Sequence, residues 1–156
     1  MTVAPSSEPG RDPQLDPVEA HALDFLRRYA IALQTHDVDK VHPFLCMPVI
    51  VSRLDDTHFI RDDADLRAFI DEVLRHFRDN GIVTLEPELL SFTGSLDDRV
   101  SMVVRWRECD AAGLCRMSED NSYTLEDTHQ GWCIVGVDIA ERERRGLAGD
   151  WRPGEA

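Results

Sequence analysis

Several features that would reveal a function are missing from this chain of 156 residues. No apolar run approaches the roughly 18 residues that a membrane-spanning helix needs, and the N-terminus has neither the basic nor the apolar region of an export signal. The sequence also contains no glycine-rich phosphate loop, no GxSxG nucleophile elbow and no histidines at the spacing of helical zinc ligands. Membrane insertion, P-loop nucleotide binding and zinc-protease chemistry are therefore not predicted.

Basic residues are few. The chain has 17 Lys and Arg against 30 Asp and Glu, and its formal net charge is −13. Such a field repels phosphate backbones and anionic lipid headgroups, so neither nucleic acid nor a membrane surface is predicted as a partner. The excess of acid is explained mainly by solubility, and a cationic partner is the alternative.

The four cysteines, Cys46, Cys109, Cys115 and Cys133, form no CxxC pair, so a structural zinc site is not expected. Because no export signal precedes them, reduced thiols and a cytoplasmic location are predicted. Cys109 and Cys115 flank a short turn and could face each other across a hairpin. A disulfide between them is the less favoured alternative.

The first half of the chain is predicted to be mostly helical. Residues 1–15 are rich in proline and charge and are expected to form a flexible arm. Asp16-Pro17 then starts a first helix, and Asp62 or Asp63 starts a third helix that ends at Asn80-Gly81. Between these two helices, a short second helix is predicted at 38–45 and two short strands are predicted at 49–51 and 58–60.

The second half is predicted to be a run of antiparallel strands joined by polar turns. Pro87 removes a backbone donor, so its strand should be bulged or lie at an edge of the sheet. Helices followed by a meander indicate an α+β fold, in which three N-terminal helices pack against a curved, mostly antiparallel sheet. One domain is expected over 16–141, followed by a charged tail over 142–156. The four strands are expected at 82–92, 100–109, 115–125 and 132–140.

Three segments carry a resemblance to a known family. They are the first-helix stretch 28–33 (RYAIAL), the following 36–41 (HDVDKV), and Tyr123-Thr124-Leu125 with 131–134 (GWCI). Over residues 18–140 the chain resembles the nuclear transport factor 2-like superfamily, which includes ketosteroid isomerase, scytalone dehydratase, limonene epoxide hydrolase and small polyketide cyclases. The resemblance implies a cystatin-like cone around a mostly apolar pocket, and a homodimer that pairs through the sheet.

The resemblance does not supply the ketosteroid isomerase mechanism. Tyr29 falls where that enzyme has its tyrosine, but the general base would fall near Ser52 or Arg53, where there is no carboxylate. The second oxyanion donor would fall near Asn121 or Tyr123, and neither is an acid. A buried tyrosine more often serves the core and finds one hydrogen-bond partner, which is the alternative role for Tyr29.

Strand alternation sorts the remaining polar candidates. An epoxide hydrolase-like site needs carboxylates bridged by an arginine on neighbouring strands. Met102, Val104 and Trp106 share one apolar face, so Arg105 and Arg107 should point away from the pocket. The other candidates for such a site are Glu108, Glu119 and Asp138.

The next strand brings polar residues inward. Its apolar set is predicted to face the pocket, and this set contains Glu119, Asn121 and Tyr123 between Met117 and Leu125. A buried carboxylate needs partners, and polar groups that converge in an apolar pocket are the usual sign of a binding site. Glu119 could instead reach water at the rim.

These observations lead to two hypotheses. The first is a small-molecule-binding protein, with an apolar or aromatic ligand and without a metal or cofactor. If it is an enzyme, the expected chemistry is that of an isomerase, cyclase or dehydratase, with Glu119 as acid/base and Tyr29 or Tyr123 as hydrogen-bond donor. The second is a non-catalytic dimeric interaction module with a collapsed pocket. The residues predicted to line the pocket are Trp106, Asn121, His58 and Phe25.

Overall fold

The computed structural model describes residues 16–53, 56–94, 98–118 and 120–139. The predicted arm over 1–15 and the tail over 142–156 lie outside these residues, and so does the predicted catalytic residue Glu119. None of the described helices is both long enough and apolar enough to cross a bilayer.

Three α-helices are present. The first and the third begin at the capping residues that the sequence predicts, whereas the second ends at Val41, before the predicted end at 45. Helix α1 spans Pro17–Gln34, and the Asp16 carboxylate accepts a hydrogen bond from the Val18 amide at 2.7 Å. Helix α3 spans Asp63–Asp79, and Asp62 caps it by accepting from the Asp65 amide at 2.9 Å. Between them lie helix α2, Val38–Val41, and a 3-10 turn, His42–Phe44. Gly81 follows α3 with a φ of +67°, a left-handed conformation that glycine adopts without a steric penalty.

Seven strands form one curved mixed sheet, in the order β2-β1-β7-β6-β4-β3, with β5 paired to β4. Neighbouring strands are antiparallel except β1 and β7, which are parallel. The α+β class, with helices packed on a curved sheet, is therefore confirmed. The first strand begins at Leu45, a residue that was predicted to lie in the second helix. The strands are β1 Leu45–Arg53, β2 Asp56–Ile60, β3 Ile82–Gly94, β4 Arg99–Asp110, β5 Cys115–Met117, β6 Asn121–Thr128 and β7 Gly131–Asp138.

Pro87 lies in β3, the terminal strand of this order, directly opposite Trp106. The edge position predicted for the proline is therefore confirmed. The irregular pairings of β3 lie on either side of Pro87, between Ile82 and Thr84 and between Leu89 and Ser91.

The strand predicted over 115–125 is divided into two. The chain advances four residues from Met117 to Asn121, whereas β4 advances three from Arg107 to Val104, so one extra residue is accommodated between β5 and β6. The alternation therefore changes phase. Met117 is 42% exposed, and the prediction that it faces inward with Asn121 is wrong.

All four cysteines are paired, which corrects the expectation of reduced thiols. Cys46 at the start of β1 is bonded to Cys133 on β7, with 5.7 Å between their Cα atoms. Cys109 and Cys115 are bonded across the β4–β5 hairpin, the pairing that the sequence had left as the alternative.

The core lies between the helices and one face of the sheet. Helix α1 presents Phe25, Leu26 and Tyr29, and α3 presents Leu66 and Leu74, all at most 5% exposed. Burial of side chains of this size, at about 25 cal/mol per Å² of apolar surface, is the main stabilising contribution.

Candidate functional site

A cavity of about 200 Å³ lies between α1, α3 and the sheet. Its walls are mainly apolar and aromatic, and its polar groups come from α1, α3, β1, β4 and β6. An open cavity beside Tyr29 and Tyr123 is what the ligand-binding hypothesis requires, whereas the interaction-module hypothesis requires a collapsed pocket. The lining residues are Tyr29, Leu33, Arg53, Phe69, Glu72, Val73, His76, Phe77, Trp106, Glu108, Asn121, Tyr123, Val137 and Ile139.

Three aromatic rings from different elements form one wall. The ring centroid of Tyr29 is 6.4 Å from that of Trp106 and 6.5 Å from that of Tyr123, and the last two are 6.4 Å apart. The planes of Trp106 and Tyr123 are perpendicular, which is a favourable arrangement of aromatic quadrupoles. The Trp106 Nε1–H donates to Tyr123 Oη at 2.9 Å, which fixes both rings.

Ser118 holds Trp106 in place at the point where β5 and β6 separate. The Ser118 amide donates to the Trp106 carbonyl at 2.8 Å, and the Trp106 amide donates to Ser118 Oγ at 2.9 Å. The serine side chain therefore replaces a backbone partner, which allows the extra residue between the two strands. Ser118 is buried as a result, at 4% exposure.

The Tyr29 hydroxyl keeps its proton. Burial in the cavity wall raises its pKa far above the ordinary value, and the proximity of Tyr123 raises the pKa further. Tyr29 is thus available as a hydrogen-bond donor to a ligand and is not available as a base.

Among the described residues that line the cavity, Glu108 is the buried carboxyl group, and the sequence analysis did not predict that it faces the cavity. It is 1% exposed and lines the cavity together with Asn121, which is 2% exposed. Among the residues that the structure describes, no donor lies within hydrogen-bond distance of Asn121 Oδ1. Met102, Val104 and Trp106 share the inward face of β4, and the next residue in this alternation is Glu108. The alternation would have predicted that Glu108 faces inward, but the apolar pattern stops at Trp106.

The mouth of the cavity carries a pair of opposite charges. Arg53 Nη2 lies 3.7 Å from Glu72 Oε2, and the two side chains are 28% and 59% exposed. The charges of this pair offset each other at the entrance, and their exposure limits the contribution of the pair to stability.

The structure brings together Tyr29, Trp106, Asn121 and Tyr123, four of the residues predicted for the site. Their roles remain predictions. The position of Glu119 is outside the described residues, so the acid at the polar end of the described cavity is Glu108.

Two predicted ligand-binding residues lie elsewhere. Phe25 is buried against Phe44, with ring centroids 5.4 Å apart, and borders a separate groove near Trp132. His58 is exposed on β2 and its Nε2 lies 2.9 Å from Asp56 Oδ2, away from the cavity. Phe25 lies nearer the N-terminus of α1 than Tyr29 and Leu33, which line the cavity. His58 lies on β2, the terminal strand of the sheet, on the far side of β1.

Arg105 and Arg107 point away from the cavity, as strand alternation predicts. Arg105 Nε lies 2.9 Å from Asp120 Oδ1, and Arg107 Nη1 lies 3.2 Å from Glu86 Oε1. Within the described ranges no three His, Cys, Asp or Glu side chains lie close enough together to hold a metal ion. The absence of a metal and of a cofactor stays a prediction.

A family profile matches the chain over residues 18–142, and its description is "NTF2-like protein (DUF6841)". This match covers most of the chain and nearly all of the described structure. The chain belongs to this family of NTF2-like proteins. A comparison with curated proteins found no match.

Solved structures share the NTF2-like fold of this chain at low identity. A domain of unknown function with a cystatin-like fold from Nostoc punctiforme is 15% identical, with a TM-score of 0.60, covering 87% of this chain and 86% of that one. An NTF2-like protein of unknown function from Shewanella oneidensis is 12% identical, with a TM-score of 0.55, covering 76% and 95%. A ketosteroid isomerase-like protein from Erwinia carotovora atroseptica is 11% identical, with a TM-score of 0.54, covering 80% and 95%.

At such identities these similarities establish the NTF2-like fold alone, because one fold supports many activities. Ser52 and Arg53 are the residues near which the sequence count places the general base of ketosteroid isomerase, and of these two Arg53 lies at the cavity mouth.

Proposed function

We propose that this NTF2-like protein binds a small apolar or aromatic molecule, about the size of one substituted ring, in the cavity beside Tyr29 and Tyr123. The observation that carries the proposal is the cavity itself, at about 200 Å³. An apolar cavity of about 150 Å³ is known to hold benzene, whereas drug-sized ligands need about 300 Å³ or more. The volume therefore favours a single ring over a fused polycyclic ligand.

The chemistry of the walls supports this size argument. The ring cluster of Tyr29, Trp106 and Tyr123 offers faces and edges against which a ligand ring can pack. Glu108 and Asn121 supply the few polar groups that orient a ligand in such a site. The competing hypothesis, an interaction module with a collapsed pocket, would need side chains to fill the space that the cavity occupies.

Ligand binding can be tested with a panel of single-ring compounds, namely phenol, benzyl alcohol, benzylamine and benzoate. We expect at least one to raise the melting temperature in proportion to the logarithm of its concentration, because it binds only the native state. Val73→Phe, which fills the cavity from α3, should abolish the shift. The matched control is Val83→Phe on β3, where the side chain is exposed and outside the cavity. No shift with any compound for the wild-type protein would contradict the proposal.

Cofactor-free proton transfer is a second candidate, favoured by the position of Glu108. A carboxylate buried at one end of the cavity could remove a proton from a ligand carbon, while the protonated Tyr29 hydroxyl donates to the developing oxyanion. Glu108 would take the acid/base role that was predicted for Glu119. The name of the isomerase-like protein from Erwinia is compatible with this chemistry.

The proton-transfer candidate predicts that a single-ring β,γ-unsaturated ketone, 3-cyclohexenone, is converted to its conjugated isomer. The product would carry deuterium when the reaction runs in heavy water, as followed by NMR. Glu108→Gln should abolish the conversion and Glu88→Gln, an exposed glutamate on β3, should not. Equal rates for these two variants would exclude Glu108 as the base.

Pairing of two copies through the sheet remains part of the proposal. The sheet face opposite the helices carries a broad groove of about 410 Å³, with Met47 and Ile50 exposed at its floor. Side chains of this kind are more often buried, so a second copy covering them is a reasonable arrangement.

The cytoplasmic location also remains a proposal, and the two disulfides weigh against it. Cytosolic reductants keep most thiols reduced, whereas disulfides persist in oxidising compartments. Alkylation of freshly lysed cells with a mass-tagged maleimide distinguishes reduced from disulfide-bonded cysteines, because only a free thiol takes up a label and the labels per chain can be counted.

A further inference from the structure

Asn121 is a polar residue in the inward series of β6. Asn121, Tyr123 and Leu125 are buried and alternate with half-buried residues, so their side chains share the inner face of the sheet. Tyr123 and Leu125 bury mainly apolar surface there. Asn121 is 2% exposed and buries an amide instead, which costs stability unless the polar atoms of the amide are hydrogen-bonded.

The amide oxygen of Asn121 has no donor of its own in the described part of the chain. No N–H or O–H of those residues lies within hydrogen-bond distance of Oδ1. The residue opposite Asn121 on β4 is Val104, whose side chain carries no donor. Most buried acceptors in folded proteins have a partner, and an exception needs a physical explanation. The oxygen therefore makes no hydrogen bond that would explain its burial by a role in the fold.

A ligand can supply the donor, because Asn121 lines the cavity. Tyr123 is the next inward residue on the same strand, and it forms the aromatic wall together with Trp106. Inward residues that follow each other along a strand are neighbours on one face of the sheet. One ligand could therefore contact the two rings and the amide oxygen together.

The polarity of this position is opposite to that of an oxyanion site. Such a site holds a ligand oxygen with hydrogen-bond donors, and the sequence count places the second oxyanion donor of ketosteroid isomerase near Asn121 or Tyr123. An asparagine amide carries both an acceptor oxygen and a donor nitrogen, and here the oxygen is the atom that is buried without a partner. The hydrogen atom of the bond would thus come from the ligand.

We propose that the ligand is a single-ring compound that carries an O–H or N–H group and donates this hydrogen to Asn121 Oδ1, while its ring packs against Trp106 and Tyr123. This inference rests on the proposed ligand-binding function and adds the hydrogen-bonding polarity of the ligand to it. It requires no particular charge on any residue of the cavity, because the amide acceptor is neutral.

The test compares compounds that are uncharged at pH 7, so that charges in the cavity do not decide the result. Phenol and aniline carry a donor on the ring, and toluene has a methyl group in the same place. Benzyl alcohol also carries a donor, whereas its isomer anisole can only accept. Dissociation constants are measured by calorimetry.

Toluene is the most hydrophobic of the first three compounds, so it should bind best to a cavity that offers no hydrogen-bond partner. We expect phenol and aniline instead to bind at least as tightly as toluene. We also expect benzyl alcohol to bind at least about fivefold more tightly than anisole, because only the alcohol can satisfy the buried acceptor.

Asn121→Leu removes the amide at nearly constant volume. The ratio of the dissociation constants of toluene and phenol should fall at least about tenfold in this variant, since the acceptor is lost. The ligand-free variant should melt at a higher temperature than the wild type, because an unpaired buried acceptor is replaced by apolar surface. Thr124→Val is the matched control: it also replaces a polar side chain of β6, but in the groove on the outer face, and should leave the ratio unchanged.

The outcomes separate this inference from the proposed function. If anisole binds as tightly as benzyl alcohol, or if Asn121→Leu keeps the wild-type ratio, the donor inference is wrong and ligand binding stands. A lower melting temperature of ligand-free Asn121→Leu would show that the fold itself uses the amide, and would also contradict the inference. If none of the five compounds binds to the wild-type protein, both proposals are contradicted.

Discussion

The indole nitrogen of Trp106 donates a hydrogen bond to the phenolic oxygen of Tyr123, with 2.9 Å between the two atoms. Both residues are nearly inaccessible to solvent, at 4% and 6% exposure. Bulk water therefore cannot replace either partner, and the bond connects β4 to β6 at the wall of the cavity.

Replacing Tyr123 by Phe tests this bond. The substitution removes the acceptor and leaves the indole N–H of Trp106 buried without it, so we expect the free energy of unfolding to fall by about 1–3 kcal/mol. Urea denaturation followed by tryptophan fluorescence measures the change. Tyr29→Phe is the matched control, because it removes a hydroxyl from the same wall without removing a partner of Trp106. An equal loss in both variants would show that the indole bond is not the cause.

Acid should loosen the contact between the 3-10 turn His42–Phe44 and the start of α3 through Asp63. His42 Nε2 lies 2.6 Å from Asp63 Oδ1, and Arg67 Nε lies 3.0 Å from Asp63 Oδ2. The hydrogen bonds from His42 and then from Arg67 lower the pKa of this carboxyl below its ordinary value. A lowered pKa in the folded state stabilises the protein above the unfolded pKa, and this stabilisation is lost as the pH falls through the folded pKa.

Asp63→Asn should therefore be less stable than the wild type at pH 7, and the difference should shrink below about pH 4. Melting temperatures from pH 7 to pH 3 measure this convergence, and its size is expected to be small because the group is exposed. Asp127→Asn on β6 is the control, since it alters an exposed aspartate outside this cluster. A difference that grows on acidification would contradict the assignment.

The two disulfides should differ in their contribution to stability. The Cys46–Cys133 bond closes a loop with a sequence separation of 87, against 6 for Cys109–Cys115. On the chain-entropy account, the longer loop contributes about 4–5 kcal/mol and the shorter about 2 kcal/mol. Cys46→Ala should therefore lower the free energy of unfolding more than Cys115→Ala, as measured by urea denaturation without reductant. The reverse order, or no effect of either change, would argue against these pairings.

Pairing through the sheet can be tested at Ile50, which is 42% exposed in the groove on the outer sheet face. Ile50→Glu places a charge where a second copy would pack, so we expect the wild type to be a dimer and this variant a monomer by light scattering. Ile31→Glu is the control, because Ile31 is 62% exposed on α1, away from that face. A wild-type monomer would contradict the proposed dimer.

Much of the fold follows from local patterns. The caps at Asp16 and Asp62, the helical apolar spacing and the strand run of the second half were sufficient to predict the α+β class. Alternation along β4 correctly predicted that Arg105 and Arg107 lie on the opposite face of the strand from Trp106. These elements are predictable because each depends on residues close together in sequence.

The candidate site was harder to predict, for two physical reasons. One extra residue beside Ser118 changes the phase between β5 and β6, and no local rule on apolar alternation signals such a bulge. Glu108 was only one of several candidate acids in the sequence, and its burial was not predicted because the apolar series of β4 ends at Trp106. The disulfide between Cys46 and Cys133 depends on the parallel pairing of β1 with β7, which brings together residues far apart in sequence.

Pro87 has a consequence for how copies of this protein can associate. A strand at the end of a sheet can recruit a strand from another molecule, and β3 is long enough, over Ile82–Gly94, to do so. Proline offers no amide hydrogen for such a ladder, and the exposed carboxylate of Glu88 beside it would repel the same residue of a second copy. The proline and the acid beside it thus disfavour continuous strand addition at this edge, and with it the open-ended aggregation that an unprotected edge strand permits.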